Sequence, residues 1–522
     1  MPAISGIKSD PVTLTVFFLL FALVTGLGLL AARWRKGDLS QLTEWGLGGR
    51  RFGTLIAWFL LGGDLYTAYT FVAVPALMFG AGATGFFAIP YGMLAYPLLF
   101  VGFARLWSVA SRHGYVTAAD FVRGRFGSRS LALAVALTGI MATIPYIALQ
   151  LLGLQVVIAA LGIQSLPGLD VIPNLPLLIA FFVLALYTYS SGLRGTALIA
   201  IVKDMLVYAT VIAAIVIIPI ELGGYAKIFA AVAPEKLILA KGTSSNLGAG
   251  FAYSSLAFGS VLALFLYPHA LTGMLSASSR KVVERNAIIL PAYSFALALI
   301  ALLGFMAIAA GVRAMPQYAG GFDRFGNNFA VPALFLTMFP NWFAGIAFAA
   351  IAIGALVPAA IMAIACGNLF TRNIYKAWIA LDCSPQSEAR VAKLVSLCAK
   401  LAALVFVLEL QSTYAIELQL LGGIWICQTV PPVLIALFTR WFHPMALLAG
   451  LVSGIAAGTA MAWSLGFKSS IYALHIFGIT VPCYAALSAL ALNLAVGVVL
   501  SLLFNATDKS PRRDETLAAD YV

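Results

Sequence analysis

Asp64 is a carboxylate in the middle of residues 60–67, inside an apolar stretch long enough to cross a lipid bilayer. An ionised group in the hydrocarbon core costs at least about 2.5 kcal/mol, so such residues usually face a protein-lined cavity and a partner. Gly62 and Gly63 precede it, and at such glycines a membrane helix can unwind and offer backbone groups to an ion or a substrate. A carboxylate that only caps the interrupted helix is the structural alternative. We interpret Asp64 as a functional residue.

Lys203 is a second ionisable residue within an apolar segment, residues 196–204. It lies about two helical turns beyond Arg194, so snorkelling of its ammonium to the membrane surface is one interpretation. If the side chain points inward, it needs an anion, and Asp64 is the candidate. Asp204 is nearer in sequence, but adjacent residues on a helix point about 100° apart and do not face each other. We therefore expect Lys203 to pair with Asp64.

Other polar side chains interrupt apolar segments at helical spacing. His269 follows Pro268, where a kinked helix leaves backbone groups without partners, and it suits a substrate or proton contact or a structural role. Tyr146 and Gln150 are spaced i and i+4 and share one helix face, where they line a pocket or hydrogen-bond between helices. The candidate substrate-binding residues are Tyr66, Thr67, Tyr146, Gln150 and His269.

The amino-acid composition indicates the class of protein in which these residues occur. Of the 522 residues 62% are hydrophobic and 10% are charged, and the mean hydropathy is +1.00, so we predict an all-α polytopic membrane protein in contact with the lipid bilayer. Residues 1–522 then form a single transmembrane domain. The net charge of +12 lies in particular loops, which indicates membrane topology and not a nucleic-acid partner.

Segments of about 20 or more mostly apolar residues recur along the chain, and we count about 13 of them. Lys and Arg are concentrated in every second loop. The positive-inside rule places these loops in the cytoplasm, with the N-terminus outside and the C-terminus inside, as expected for a multi-pass protein of the cell's inner membrane. The basic loops are residues 33–51, 112–129, 280–285, 372–393 and 440, followed by the tail at 509–513.

Two spans, five apart in order, are interrupted in the same way. Span two contains Gly62, Gly63 and then Pro75, and span seven contains Gly259 and then Pro268. Paired interruptions in corresponding halves are typical of an inverted-repeat secondary transporter with its site at the midplane. We predict a first repeat at 53–220, a second repeat at 248–438, additional helices at 439–505 and a cytoplasmic tail at 506–522.

Motifs for other chemistry are missing from the sequence. We find no Walker motif, nucleotide fingerprint or catalytic triad spacing, which argues against an ATP-driven pump and against an enzyme. The five cysteines are scattered through apolar segments without metal-ligand spacing, so we expect no cofactor and no redox role. The driving energy then comes from an ion gradient or from the gradient of the substrate itself.

Several motifs together resemble the sodium:solute symporter family over nearly the whole chain. Residues 44–50 resemble its acidic and aromatic motif before span two, and residues 117–127 resemble its loop after span three. The Pro268–His269 break is similar to that of its seventh span. Within the family, residues 62–69 most resemble bacterial monocarboxylate permeases, whose substrates include lactate, pyruvate and, in some, alanine.

The resemblance implies a 13-helix inverted-repeat, LeuT-like fold with a sodium site between spans two and nine. Its backbone ligands would be the carbonyl groups of Gly62, Leu65 and Gly354, if sodium binds. The family's two adjacent hydroxyl side chains fall on Val357 and Pro358, which supply no oxygen. Because sodium needs about five or six hard oxygen ligands, the usual site is incomplete.

A second departure concerns the acidic residue of the family's span six, which Ala200 replaces. Lys203 stands one turn further on the same face, where its ammonium can reach the incomplete site. Our hypothesis is that the protein couples to protons, with Lys203 titrating and Asp64 as its counter-ion. Sodium coupling is the alternative, and the coupling ion is in either case the only cofactor expected.

We predict a secondary active symporter that takes up short monocarboxylates, namely lactate, pyruvate, alanine or acetate, by alternating access. The opened ends of spans two and seven would hold the substrate carboxylate. The same fold carrying proline, acetate or a sugar with sodium is the near alternative. A channel or ligand sensor is the alternative from a different class. No obligate protein partner is evident from the sequence.

Overall fold

The computed structural model describes residues 7, 9–31, 37–163, 174–409, 415–507 and 513–522. In its first half the α-helices are α1 (Pro11–Leu30), α2 (Leu42–Leu47), α3 (Thr54–Gly63), α4 (Val74–Ala81), α5 (Ala88–Leu98), α6 (Ala104–His113), α7 (Ala118–Phe126), α8 (Arg129–Ala160), α9 (Leu175–Glu221), α10 (Tyr225–Ala230), α11 (Pro234–Leu237) and α12 (Gly248–Leu264).

The second half continues with α13 (Pro268–Leu275), α14 (Arg280–Ile289), α15 (Pro291–Ala301), α16 (Leu303–Ala309), α17 (Ala319–Phe325), α18 (Ala330–Met338), α19 (Asn341–Phe370), α20 (Pro385–Glu409), α21 (Ala415–Ile426), α22 (Pro444–Ser464) and α23 (Ala485–Thr507). Short 3-10 or π turns join several of them, among them Tyr69–Ala73, Gly82–Phe87, Leu99–Phe103, Thr371–Ile379 and Val430–Leu434.

The described residues contain ten helical stretches that are long and apolar enough to cross a membrane, or eleven if the bent pair of α12 and α13 is one span. Two of the ten, Tyr69–His113 and Leu175–Glu221, have 45 and 47 residues, whereas one crossing takes about 20. Gly82 (φ 66°, ψ −136°) interrupts the first, and Gly192 (φ 57°, ψ −145°) interrupts the second. The count of 13 spans stays a prediction.

The two predicted helix breaks are confirmed. In span two, α3 ends at Gly63 and the chain resumes helical structure at Tyr69 as a π turn that leads into α4. In span seven, α12 and α13 meet at a 45° bend, with Tyr267 in an extended conformation directly before Pro268. Proline lacks the N–H that a continuing helix needs, so α13 starts as a new helix.

Helix α19 forms the centre of the bundle, since nearly all of its residues are buried. It packs against α1, α8, α9, α13 and α20, whereas α22 and α23 pack mainly against each other at the periphery. Large apolar side chains on α1, α22 and α23 are exposed, as expected for helices that face lipid. The two broken spans lie against this core: α3 packs on α9, and α13 packs on α19.

A β-hairpin departs from the all-α expectation. Strands β1 (Ile471–Ile476) and β2 (Ile479–Tyr484) pair antiparallel, from Ile471 opposite Tyr484 to Ile476 opposite Ile479. Phe477 and Gly478 form the turn, and both have a positive φ, as two-residue hairpin turns of the primed types require. The additional helices predicted at 439–505 are therefore separated by a hairpin: the β-branched residues of β2 pair as a strand, and the last helix starts at Ala485.

Candidate functional site

The break in span two brings backbone carbonyl groups against two other helices. A side chain at Gly62 would collide with the ring of Tyr293 on α15, and a Cβ at Gly63 would lie 2.9 Å from the Lys203 Nζ on α9. The two glycines therefore allow span two to approach both helices closely, in addition to ending α3. Because of this close approach, the carbonyl groups freed at the break lie within hydrogen-bonding distance of Lys203.

Lys203 is completely buried, which excludes snorkelling to the membrane surface. Its ammonium donates hydrogen bonds to the carbonyl oxygens of Gly63 and of Tyr66, the latter at 3.1 Å. Its Nζ also lies 3.1 Å from Oδ1 of Asp204, and both side chains of this ion pair are inaccessible to solvent. The ammonium thus ties both sides of the break in span two to α9.

The expected pair of Lys203 and Asp64 is not formed in this structure, and the expectation that Asp204 could not face the lysine is wrong. The four-carbon stem of a lysine is long and flexible. It can therefore curve back so that its ammonium meets a neighbouring carboxylate, although the two Cα–Cβ bonds diverge. Helical spacing restricts short side chains far more than this one.

Asp204 is held from a second helix as well. The hydroxyl of Tyr293 donates to its Oδ2 at 2.8 Å, and the hydroxyl of Tyr66 donates to the backbone carbonyl of Tyr293 at 3.0 Å. The rings of Tyr66, Tyr208 and Tyr293 contact one another, with centroids 4.7–5.7 Å apart. We call Lys203, Asp204, Tyr66, Tyr208 and Tyr293 the lysine cluster. Tyr66, predicted to line the substrate pocket, lies in this cluster.

Asp64 faces a different partner. Its Oδ2 lies 3.3 Å from Nε2 of His269, which α13 presents directly after the break in span seven. The ring of Tyr146 packs edge-on against the His269 ring at 5.2 Å, and Oε1 of Gln150 accepts a hydrogen bond from the N–H of Ala68 at 3.1 Å. The structure therefore brings Asp64, His269 and Tyr146 together between the two broken spans, with Gln150 one turn beyond Tyr146 on α8 and bonded to span two. We call these four the histidine cluster.

Three polar atoms of the histidine cluster lack a hydrogen-bond partner among the described residues. They are Oδ1 of Asp64, Nδ1 of His269 and Nε2 of Gln150, and all three are buried. Buried polar groups are nearly always hydrogen-bonded, so such atoms need an explanation. A cluster that combines orphaned donors and acceptors at two opened helix ends suits a small polar ligand.

Thr67 has a local role. It is fully buried, and its hydroxyl accepts a hydrogen bond from the N–H of Tyr69 at 2.9 Å. The contact satisfies a backbone donor at the start of the second half of span two, as hydroxyl side chains often do where a helix begins. Its place among the substrate-binding residues stays a prediction.

Two of the three predicted sodium ligands accept hydrogen bonds within span two. The carbonyl of Gly62 accepts the N–H of Leu65 at 2.9 Å, and the carbonyl of Leu65 accepts the hydroxyl of Thr70. Gly354 lies across from span two on α19, where a Cβ would be 3.6 Å from the Tyr66 carbonyl oxygen. Val357 and Pro358 are buried in the same helix without a side-chain oxygen. This donor set does not fit a sodium ion.

Asp204 and Tyr293 are the residues that sequence reasoning missed. Asp204 carried the same signal as Asp64, an ionisable group in an apolar span, and was set aside only because of its position next to Lys203. Tyr293 carried no local signal, since its contacts with Asp204 and Gly62 join residues far apart in the chain. Tyr267, whose ring lies 5.2 Å from that of His269, was also missed.

Residues of the motifs that resemble the family join the helices that surround the site. Asp120 accepts a hydrogen bond from Asn373 at 2.8 Å, and the hydroxyl of Thr117 donates to Asn373 at 2.8 Å. Both contacts fix α7 to the π turn that follows α19. Glu44 forms a buried ion pair with Arg194 next to the Gly192 break in α9. These residues position the helices of the site and lie outside it.

Comparisons with known proteins cover most of the chain. A sequence profile of the sodium:solute symporter family matches residues 45–454. The chain is 50% identical over 504 residues to a "Monocarboxylate transport permease protein" of Rhizobium johnstonii, covering 96% of this chain and 98% of the relative. It is 34% identical to the "Uncharacterized symporter YodF" of Bacillus subtilis, covering 92% and 91%.

A solved structure of a Na⁺-coupled sialic acid symporter in a substrate-bound outward-open state has a similar fold. The TM-score is 0.69 at 17% sequence identity, covering 95% of this chain and 98% of that chain. At this identity the likeness extends to the fold alone. It agrees with the inverted-repeat, LeuT-like arrangement that the two broken spans indicate.

Proposed function

Because the chain belongs to the sodium:solute symporter family, we propose that it is a symporter that takes up short monocarboxylates and couples their uptake to protons. The observation that carries the proposal is the position of the Lys203 ammonium. It sits on the carbonyl groups of Gly63 and Tyr66 at the break in span two, where a coupling cation of this family would be expected.

Electrostatic repulsion disfavours binding of a sodium ion at the break in span two while Lys203 is protonated. Two unit charges about 4 Å apart repel by about 4 kcal/mol at the effective dielectric constant usual for proteins. A sodium ion would have to bind through the carbonyl groups of Gly62 and Leu65, each next in the chain to a carbonyl group that the lysine uses, with no hydroxyl at positions 357 and 358 to complete its shell. The lysine thus replaces the metal with a charge that can be removed by deprotonation.

The proton on Lys203 controls the hydrogen bonds that join span two to α9. Protonated Lys203 holds Gly63 and Tyr66 and is neutralised by Asp204. After proton release the charge attraction between Lys203 and Asp204 is lost, and within the described part of the chain Asp204 keeps the hydrogen bond from Tyr293. The two protonation states therefore favour different positions of span two, which lets a proton gradient bias the conformational equilibrium.

The substrate class rests on the histidine cluster and on the named relative. The first N–H groups of α13 have no partner within the helix and carry the positive end of its dipole, which favours an anionic carboxylate. Gln150 offers an unpaired amide N–H₂ nearby, and His269 offers a ring nitrogen. Asp64 lies 3.3 Å from Nε2 of His269 and orients its ring. The Rhizobium relative, named as a monocarboxylate transport permease, supports the same class.

Contacts between loops support the predicted grouping of these segments on one side of the membrane. Lys236 donates to the carbonyl of Phe79 at 2.8 Å, the N–H of Leu247 donates to Thr480 at 3.0 Å, and Arg324 donates to Asn174 at 3.4 Å. All these residues fall in loops or span ends predicted outside. Because Lys and Arg are concentrated in the loops predicted on the opposite side, we propose a protein of the cytoplasmic membrane with its N-terminus outside and its C-terminus inside.

Competition of labelled lactate or pyruvate uptake by a panel of short carboxylates tests the substrate class. The experiment uses proteoliposomes of the purified protein, with sodium present and with sodium replaced by choline. We expect lactate, pyruvate, acetate and propionate to compete with each other in both buffers, and dicarboxylates to compete weakly. Competition by proline or a sugar, or uptake only in the presence of sodium, would favour another solute of the same family.

A further inference from the structure

The C-terminal residues 513–522, which we call the strap, fold back against the face of the molecule predicted to be cytoplasmic. Next to α7 the carboxylate of Asp514 accepts a hydrogen bond from Arg125 at 2.9 Å, and the N–H of Glu515 donates to the carbonyl of Gly124 at 2.9 Å. A Cβ at Gly127 would lie 2.8 Å from the backbone oxygen of Arg513. The strap therefore docks closely on α7 through backbone as well as side-chain contacts.

The last turn of the strap docks on α6. Oδ2 of Asp520 lies 2.8 Å from Nε2 of His113, and Oδ1 lies 3.3 Å from Nη1 of Arg112. The hydrogen bond with His113 lowers the pKa of Asp520 to about 2. Asp520 keeps its charge at neutral pH, because stabilisation by a lowered pKa is lost only as the pH falls towards that value. Tyr521 is 5% exposed, with the guanidinium groups of Arg105 and Arg125 5.6 and 5.4 Å from its ring centroid.

The strap also contacts the other half of the transporter. Arg280, the first residue of α14, donates to the carbonyl of Tyr521 at 3.1 Å. Arg440 donates to the carbonyl of Thr516 at 2.9 Å and lies 3.2 Å from Asp514. Helices α6 and α7 belong to the proposed first repeat, whereas α14 belongs to the second and Arg440 directly follows it. The strap is thus bonded to both repeats at one face.

We propose that these basic residues form a cradle whose ligand is the chain's own strap, and that the docked strap holds the two repeats together and slows their opening to the cytoplasm. Four arginines meet the two carboxylates and the backbone carbonyls of the strap, and Arg105 lies over the ring of Tyr521. Alternating access requires the repeats to separate at this face, and contacts made to both at once must break when they do. The inference rests on alternating access and not on the substrate or the coupling ion. The cradle consists of Arg105, Arg112, His113, Arg125, Arg280 and Arg440.

The test measures docking and opening separately. Docking is read from hydrogen exchange of the backbone amides of residues 515–520. Opening is read from alkylation of a cysteine that replaces Ala365, after the five native cysteines have been replaced. Ala365 lines a small cavity of about 20 Å³ between α7, α8, α13 and α19. Tyr521→Ala and Asp520→Asn remove strap anchors, and Arg123→Gln, exposed on the same α7, is the matched control.

In the parent protein we expect slow exchange at the Glu515 N–H. Tyr521→Ala and Asp520→Asn should speed both this exchange and the alkylation, the latter about fivefold or more, the lower limit usual for coupled sites. Arg123→Gln should change neither. Random-coil exchange of the strap in the parent protein would overturn the proposal. So would variants that release the strap while the alkylation rate stays the same. If the Tyr521→Ala variant does not fold, the exchange and alkylation rates of Asp520→Asn alone test the proposal. Neither readout needs transport, so a wrong substrate or coupling ion leaves the result valid.

Discussion

The lysine cluster and the histidine cluster are both built around an intramembrane carboxylate beside the same glycine break, yet they differ in how their polar atoms are satisfied. In the lysine cluster the ammonium of Lys203 bonds to two carbonyl oxygens and neutralises Oδ1 of Asp204, which makes no hydrogen bond within the described residues, while Oδ2 accepts from Tyr293. In the histidine cluster Asp64, His269 and Gln150 each keep a buried atom without a partner among the described residues.

This difference separates two tasks. A satisfied network in a low-dielectric interior holds helices in one arrangement, and removal of its central charge releases them. A partly satisfied cluster gains free energy when a ligand supplies the missing hydrogen bonds. We therefore assign coupling to the lysine cluster and substrate binding to the histidine cluster. Substitutions in the lysine cluster should therefore impair coupling, whereas substitutions in the histidine cluster should impair substrate binding.

The largest expected effect is that of Lys203→Ala on accumulation. For one proton per substrate, a pH difference of one unit supports a concentration ratio of about ten, since one unit corresponds to about 1.4 kcal/mol. The variant should exchange labelled for unlabelled substrate across the membrane but reach a ratio of one. Lys227→Ala, in a loop predicted outside, is the control and should accumulate normally. If the Lys203→Ala variant still accumulated substrate, Lys203 would not be required for coupling to the proton gradient.

Asp204→Asn should cost the most stability, because it leaves a buried ammonium without its counter-ion. Breaking one partner of a buried pair costs about 3–5 kcal/mol, which thermal unfolding in detergent can measure as a lower Tm. Asp64→Asn should cost less stability but abolish uptake, since it alters the cluster that receives the substrate. Equal losses of stability in the two variants would contradict the division between the clusters.

Gly62→Ala tests the close approach of span two to the lysine cluster. The added methyl group would collide with the ring of Tyr293, and overpacking of this kind typically costs about 1–3 kcal/mol. Gly250→Ala is the matched control, since a Cβ there meets nothing within 4 Å. The measurement is thermal unfolding of both variants. A Gly62→Ala protein as stable as the control would show that span two has room to move away.

The smallest effect is expected for Tyr293→Phe, which removes only the hydroxyl that donates to Asp204. Loss of a hydrogen bond to a charged group costs about 1.5–3 kcal/mol, the lower end applying here because Lys203 remains. The pH profile of uptake should shift while the apparent KM for substrate stays unchanged. A changed KM with an unchanged pH profile would instead place Tyr293 in the substrate site.

Much of the fold followed from the sequence because hydropathy and Gly/Pro interruptions are local signals. The breaks in spans two and seven were predicted in this way, and so was the presence of Asp64 and His269 inside apolar spans, where the structure places them 3.3 Å apart. The family was predicted from the resemblance of residues 44–50, 117–127 and the Pro268–His269 break. The Lys203–Asp204 pair was not, because helical geometry does not fix where a long side chain ends. Tyr293 could not be predicted either, since its role arises when α15 packs against the break in span two. The strap depends on contacts across most of the chain length.

The central claim is that Lys203 takes the place of a coupling sodium ion. Proteoliposomes of the wild-type protein, loaded and assayed under an imposed pH gradient without sodium and under an imposed sodium gradient at clamped pH, test it most directly. The account predicts that labelled lactate or pyruvate accumulates with the pH gradient and ignores the sodium gradient. Accumulation that follows the sodium gradient and ignores the pH gradient would contradict it.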